Sequence, residues 1–456
     1  EEVITQEDIV NLRSSYKAHL DSELAKSDSV MPVLKALSGK WEGMVVPNSV
    51  DAIRDPETGF LLETLKDVGR ASTEVPDGFA MAFGSLMLEG YDVRISGQDV
   101  GRGTFSQRHA MLVDQLDEGV TVPLNARLNS KGRLELANSS LSEMAVLGFE
   151  YGMSWESPKL LSIWEAQFGD FFNGAQVIFD TFISSAESKR HSSFFIFTAW
   201  KVIHKSHAAK WLAQSGIVIL LPHGLDGAGP EHSSMRIERM LQLTNDALIY
   251  GDGARDINMH VVYPTNPAQY FHLLRRQMKR NYRRPLIVAA PKGLLRLPAA
   301  ASSITDFEPT TRFQPVLDEQ MNNTSSVERV VLLTGKIYYD LLKERAERGL
   351  ENKVALIRIE ELSPFPFRML QDVLGRYSQA CDVYWLQEEP RNQGAWTHVE
   401  PRINNVLERI EGDGRNGSRA LRYIGRKEDA LPAVGVGKVY KEQQNTVLRA
   451  AFGGLK

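Results

Sequence analysis

The chain has 456 residues, 43% hydrophobic composition and a net charge of -4. That length supports two or three packed domains, and the near-balanced charge excludes a surface built as a whole for nucleic acid. The single cysteine, Cys381, excludes an internal disulfide framework, and no apolar run of about 18 residues predicts a membrane span.

Residues 1–75 read as helices and linker, with helical periodicity and dense charge over 7–24. The first residue is Glu1 rather than Met, so a longer product with an upstream part is expected. From 76 to 305 the pattern alternates between strands and helices. Strands are predicted at 91–95, 160–164, 217–221 and 286–289. The last two are continuous aliphatic runs, which suit strands covered on both faces. Ser142 caps a predicted helix running towards Met153, and Pro267 opens another over 267–280. Residues 306–326 are polar and turn-rich and read as a linker. A second block over 327–456 has strands at 330–333, 354–359 and 383–386, with helices near 337–348 and 367–377. The fold class is therefore α/β: a mostly parallel sheet with helices on both faces, followed by a smaller α/β C-terminal domain.

Four stretches carry candidate chemistry. Residues 96–109, SGQDVGRGTFSQRH, form a glycine-rich loop able to present Arg102, Arg108 and His109 to an anion; composition alone does not separate this from a solvated surface loop. In LSEMAVLGFEYG, Glu143 stands in the first turn of a helix of small and apolar residues. There a desolvated carboxyl with a raised pKa would suit proton transfer, whereas a simple preference for the helix N-terminus explains the same residue. WEAQFGDFFNG places aromatics after a strand, as a platform for a heteroaromatic ring or as ordinary core. LPHGLDGAGPEHSS follows the strongest strand, where open α/β sheets bind ligands. Its His223, Asp226, Glu231 and His232 fit no standard zinc spacing, so no metal site is predicted.

Together, in this order, these strings resemble the pyrimidine-binding domain of thiamin diphosphate enzymes, and specifically the dehydrogenase component of the 2-oxoglutarate dehydrogenase family. The resemblance continues through PTNPAQYFHLLRRQM, RRPLIVAAPKGLLR, IEELSPFPF and LQEEPRNQGAW. Gln107 within SQRHA, with FEYGMSWESPKLL, leans towards the 2-oxoadipate paralogue rather than the 2-oxoglutarate enzymes. The resemblance implies a transketolase-like fold, thiamin diphosphate as cofactor, and oxidative decarboxylation of a 2-oxo dicarboxylic acid. It further implies acyl transfer to a lipoyl-bearing dihydrolipoyl acyltransferase, a dihydrolipoyl dehydrogenase partner, a homodimer and a mitochondrial matrix location. Glu143 matches the glutamate that hydrogen-bonds N1′ of the aminopyrimidine and favours its imino tautomer. Phe171, or alternatively Phe168, matches the aromatic stacked on that ring, with Gln167 beside them. His109 matches a substrate-facing histidine; Gln107, Arg102, His223 and His232 complete the implied substrate set.

Three departures from the family pattern qualify this expectation. The family's diphosphate-binding domain, with its Mg²⁺ ligands, lies upstream of the matched part, so this chain by itself supplies half of a cofactor pocket and is expected to be inactive alone. A non-catalytic docking or dimerisation module is the rival reading. The family's extra helical segment near Val75-Pro76 is replaced by a direct run into the next helix. Residues 185–208, containing FFIFTAW, interrupt the family's continuous DTFIS–AKWL and read as an atypical insert.

Overall fold

The computed structural model describes residues 5–26, 37, 39–45, 56–72, 78–185, 214–225, 229–251, 257–319, 321, 323–380, 382–412 and 419–455. The insert beyond residue 185, the junction at Val75-Pro76, Asp226 and Cys381 lie outside the described residues. Helix α1, Gln6–Lys26, belongs to a unit of its own, with no buried residue. Thr5 and Asp8 start it as a reciprocal cap: the Asp8 N–H donates to Thr5 Oγ1 at 3.2 Å, and the Thr5 N–H donates to Asp8 Oδ2 at 2.9 Å.

The larger unit spans 39–186 and 214–456. In chain order its main elements are α2 (Leu62–Ser72), α3 (Gly78–Leu88), β1 (Asp92–Gly97), β2 (Leu134–Asn138), α4 (Glu143–Met153), β3 (Leu160–Glu165), β4 (Val218–Pro222), β5 (His260–Val262), α5 (Pro267–Lys279) and β6 (Leu286–Ala290). They are followed by β7 (Val316–Leu317), β8 (Arg329–Leu333), α6 (Ile337–Glu347), β9 (Val354–Ile359), β10 (Glu361–Ser363), α7 (Phe367–Arg376), β11 (Asp382–Pro390), α8 (Trp396–Gly412), β12 (Leu421–Arg426) and α9 (Gly437–Phe452).

The aliphatic runs behave as the two-sided burial argument requires. In β4, Ile219 and Leu221 enter one core cluster while Val218 and Leu220 enter another on the opposite face. Alternate side chains of a strand point to opposite faces, so both faces of the sheet are covered. The first sheet has seven strands in the order β10-β5-β6-β4-β3-β1-β2, parallel except for β10. The second has five, ordered β12-β11-β8-β9-β7, parallel except for β7. The expected α/β class, a mostly parallel sheet covered on both faces followed by a second α/β domain, is thus what folds.

Three boundaries differ from the sequence reading. Residues 1–75 are not all linker: α2 buries Leu65, Val68 and Ala71 in the core of the first domain, because its apolar side chains fall on one helical face. Residues 306–326 are not a plain linker either. Their Val316–Leu317 forms β7 and pairs antiparallel with β9. In the other direction, the C-terminal block lends β10 to the first sheet, where Glu361 pairs with Val262 and Ser363 with Val261. The C-terminal block therefore supplies an edge strand to both sheets, and one core cluster runs from Trp164 and Ile219 through to Ile357 and Trp385.

Helix α5 illustrates how polar groups are accommodated inside this core. Asn266 caps it, accepting from the Gln269 N–H at 2.9 Å, and Pro267 occupies the first turn. His272 on the same helix is buried; its Nε2 donates to the Asp306 carbonyl at 2.8 Å, so Nδ1 accepts from Thr58 Oγ1 at 2.8 Å. Burial, with Arg275 adding to it, pushes the His272 pKa down to about 4 from 6.5. Below pH 6.5 an unfolded His272 binds a proton that the folded one refuses, so its contribution is present above pH 6.5 and is lost as pH falls towards 4. The stability difference between wild type and His272→Gln should shrink over that window by up to ~1.4 kcal/mol per pH unit. Urea titrations at a series of pH values test this; a pH-independent difference refutes it.

Candidate active site

Glycines and caps bring the four sequence stretches to the carboxyl edge of the first sheet. Each loop follows a parallel strand: 98–110 follows β1, 139–142 follows β2, 166–175 follows β3 and 223–236 follows β4. Gly169 sits where the β3 and β4 loops meet. A Cβ there would lie 2.0 Å from the Pro222 carbonyl oxygen and 3.0 Å from the Met235 nitrogen, so only glycine lets the backbones approach this closely.

Glu143 opens α4, with Ser142 as its cap accepting from the Ala145 N–H at 3.4 Å. Its carboxyl faces the segment that carries Phe171: a Cβ on Gly174 would lie 3.2 Å from Glu143 Oε2. Glu143 is only half-buried. Among the described residues the expected desolvation is therefore not supplied. The fully desolvated carboxylate of that helix is Glu150, seven residues on, whose oxygens accept from Arg94 Nε at 3.0 Å and from Ser162 Oγ at 3.2 Å.

Next to Glu143, the aromatic cluster is built edge to face. The rings of Phe168 and Phe171 are 5.2 Å apart at 83°, and Phe168 meets the His232 ring at 4.3 Å. Phe105, from the glycine-rich loop, lies 6.3 Å from Phe168. Phe168, Phe171 and Gln167 are all half-buried, leaving ring surface for a further aromatic partner. His232 is also half-buried and lies 3.6 Å from Glu231. Among the described residues, no three His, Cys, Asp or Glu side chains gather as metal ligands.

The glycine-rich loop departs from the expectation of three outward cations. Arg108 is buried, donating to the Val100 carbonyl at 2.7 Å and forming a two-pronged ion pair with Glu165. A desolvated guanidinium needs a carboxylate in its fork geometry, and Glu165 at the end of β3 provides it. Arg102 is exposed but engaged with Asp99 at 3.0 Å and with the Gly103 carbonyl at 3.2 Å. Gln107 turns back into its own loop, its Oε1 accepting from the Phe105 N–H at 2.9 Å. Gly103 makes this possible: at φ +82°, a Cβ there would come within 2.4 Å of Gln107 Oε1. His109 is exposed and holds φ at +44°, an uncommon conformation for a residue with a Cβ.

His223 is the clearest correction within the substrate set. Its ring has no exposed surface. Nδ1 accepts from the Met235 N–H at 3.1 Å, so Nε2 carries the hydrogen and donates to Glu389 Oε1 at 2.6 Å. Burial works against the Glu389 carboxylate, but the His223 hydrogen bond outweighs it and holds its pKa below the usual range. Beside it, burial pushes Glu388 up, opposed by Lys336 at 2.7 Å. His223 thus ties the β4 loop to the C-terminal domain and does not face a substrate. Glu389 and Glu165 were both missed from the sequence. The only available signal was a charged residue ending a buried aliphatic strand.

Residues 72–298 match the family described as "Transketolase, pyrimidine binding domain", and residues 301–452 match "2-oxoglutarate dehydrogenase C-terminal". The chain is similar to the 2-oxoadipate dehydrogenase complex component E1 of Rattus norvegicus, at 45% identity over 482 residues, 99% of this chain and 49% of the relative. The protein of that name from Homo sapiens is 46% identical over 482 residues, with 99% and 49% covered. The 2-oxoglutarate dehydrogenase E1 component of Rickettsia felis is 40% identical over 481 residues, with 99% and 45% covered. The chain spans about half the length of the curated relatives it matches.

Proposed function

The chain belongs to the 2-oxoglutarate dehydrogenase family, and on that premise we propose that it is the pyrimidine-binding part of a thiamin diphosphate-dependent 2-oxo acid dehydrogenase. The observation that carries this reading is the Glu143 carboxyl set against the Phe171 segment at the carboxyl edge of a parallel sheet. An acid beside an aromatic face is the donor set an aminopyrimidine requires, so the residues present fit that end of the cofactor.

When bound, thiamin diphosphate supplies the nucleophilic carbon and the electron sink for loss of CO₂. Glu143 holds a proton at a ring nitrogen of the pyrimidine, with Phe171 and Phe168 as the aromatic wall and Gln167 beside them. His109, exposed on a strained backbone, is the residue of this chain best placed to meet a substrate carboxylate or carbonyl. Arg102, Gln107 and His232 border the same edge. Diphosphate and Mg²⁺ contacts come from outside the matched part.

The substrate is a 2-oxo dicarboxylic acid, 2-oxoadipate favoured and 2-oxoglutarate next, with the acyl group passed to the lipoyl group of a partner acyltransferase. The relatives with 2-oxoadipate in their names support that order. Release of CO₂ from the two acids by the assembled enzyme tests it: kcat/KM should be higher for 2-oxoadipate, and activity confined to ketose phosphates overturns the reaction class. A dimerisation or docking module without catalysis is the second reading, favoured by the half-buried state of Glu143 in this chain. Titration of the assembled enzyme with thiamin diphosphate and Mg²⁺ separates the two: heat of binding that Glu143→Gln weakens supports the cofactor site, and absence of binding supports the docking module.

A homodimer through α4 is part of the proposal. Met144 and Phe149 on this helix are 49% and 57% exposed, Leu141 just before its cap is 83% exposed, and Val177, on a turn that contacts the helix, is 51% exposed. An apolar face of this kind marks an interaction surface, and closing it would desolvate Glu143. Phe149→Glu should weaken the dimer by ~2 kcal/mol or more, read as a shift to monomer in sedimentation. An unchanged dimer removes α4 from the interface.

A further inference from the structure

Beside the proposed site, bordered by Phe105 and Gln107 but not lined by Glu143 or Phe171, lies a cavity of about 600 Å³ outside the carboxyl ends of β4 and β6. Its size falls in the range of pockets that hold small molecules. Met81, Leu220, Pro264, Tyr270, Leu294 and Phe307 are among the apolar and aromatic side chains of its wall. The polar side chains of the wall are largely committed elsewhere. Thr265 Oγ1 donates to Glu360 at 2.6 Å and accepts from Arg358 at 2.8 Å. Asn266 Oδ1 caps α5, and Ser302 Oγ accepts from the Ala268 N–H at 3.1 Å. Glu165, the acidic residue of the wall, is neutralised by Arg108. An occupant thus meets an apolar interior with few polar groups left to satisfy.

The rim is different in character. Arg296 borders the cavity, is exposed, and anchors one guanidinium nitrogen on the Phe105 carbonyl at 2.8 Å. The Lys292 ammonium lies 5.7 Å from the centre of the Phe105 ring, which is itself part of the wall. With Glu165 cancelled, the charge at this edge is positive. We propose that the cavity binds an amphipathic monocarboxylate of medium chain length, its alkyl part inside and its carboxylate at Arg296. Apolar burial supplies the affinity, and the guanidinium fixes the orientation. The proposal does not require thiamin chemistry, so it can fail while the catalytic reading stands.

Isothermal titration of the chain with sodium octanoate, hexanoate and butanoate, and with 1-octanol, tests it. Octanoate should bind saturably, and each CH₂ removed should weaken binding roughly fourfold. Octanol should bind roughly three- to fivefold more weakly than octanoate, and Arg296→Gln should erase that difference. Arg296 is on the surface, so this variant keeps the fold. Ala290→Trp, which places an indole in the wall, should abolish octanoate binding. Absence of saturable octanoate binding at millimolar concentration overturns the proposal, as does affinity that ignores chain length or equal binding of octanol and octanoate to wild type.

Discussion

Glu143→Gln should lower decarboxylation by the assembled enzyme by roughly 10²–10⁴-fold, the span of a lost proton-transfer group, while leaving the fold intact. The two effects separate because of where the residue sits. Glutamine has the same shape and keeps a hydrogen-bonding oxygen, so the contact with the Gly174 segment survives. What it cannot do is hold a proton and release it. The structural cost is confined to the interaction of a negative charge with the N-terminus of α4, about 0.3–1 kcal/mol, since the residue is only half-buried. Steady-state CO₂ release and thermal unfolding of the same preparation give both numbers. Glu143→Asp is the useful companion: it restores the charge at the helix terminus but withdraws the carboxyl by one methylene. Turnover that survives Glu143→Gln would remove this residue from the reaction and overturn its assigned role.

Much of the framework around Glu143 could be read in the sequence, for a definable reason. β3, β4 and β6 are unbroken buried runs, and α5 begins with an asparagine cap and a proline. These signals are local, and local signals survive tertiary packing. Two of the elements missed from the sequence have an identity set at a distance. β5 is three residues long and contains a fully buried histidine; β10 begins with a buried glutamate. Both look polar in sequence because their partners lie about a hundred residues away. The same holds at the site. Arg108 reads as an exposed cation until Glu165, 57 residues on, is seen beside it, and His223 reads as a ligand until Glu389 arrives from the other domain. Aromatic and glycine spacing located the carboxyl edge of the sheet, whereas the ion pairs that turn side chains inward left no local trace.

The lent strand β10 gives the second large prediction. On β10, Glu361 accepts from Arg276 Nη1 at 3.0 Å and Nη2 at 2.7 Å, and from His260 Nδ1 at 3.0 Å. His260 Nε2 in turn accepts from Arg280 at 2.8 Å. All four side chains are buried, so one carboxylate holds the Arg276 guanidinium directly and a neutral imidazole links it to Arg280. Burial drives the His260 pKa down to about 4, with Arg280 adding to it. Burial also acts to raise Glu361, but Arg276 and His260 overcome it and hold the carboxylate well below its usual range. Removing the carboxylate leaves Arg276 without its ion-pair partner in a dry joint, a change that costs about 3–5 kcal/mol. Glu361→Ala should therefore lower the unfolding midpoint more than any surface substitution and open the junction between the two sheets to limited proteolysis near 361–363. Glu361→Leu combined with Arg276→Met should recover part of the loss, because replacing both partners of a buried ion pair by apolar side chains is far less costly than orphaning one. If the double variant is as unstable as the sum of the two single ones, the pair is not coupled, and the joint is held by the β5–β10 backbone and the shared core alone.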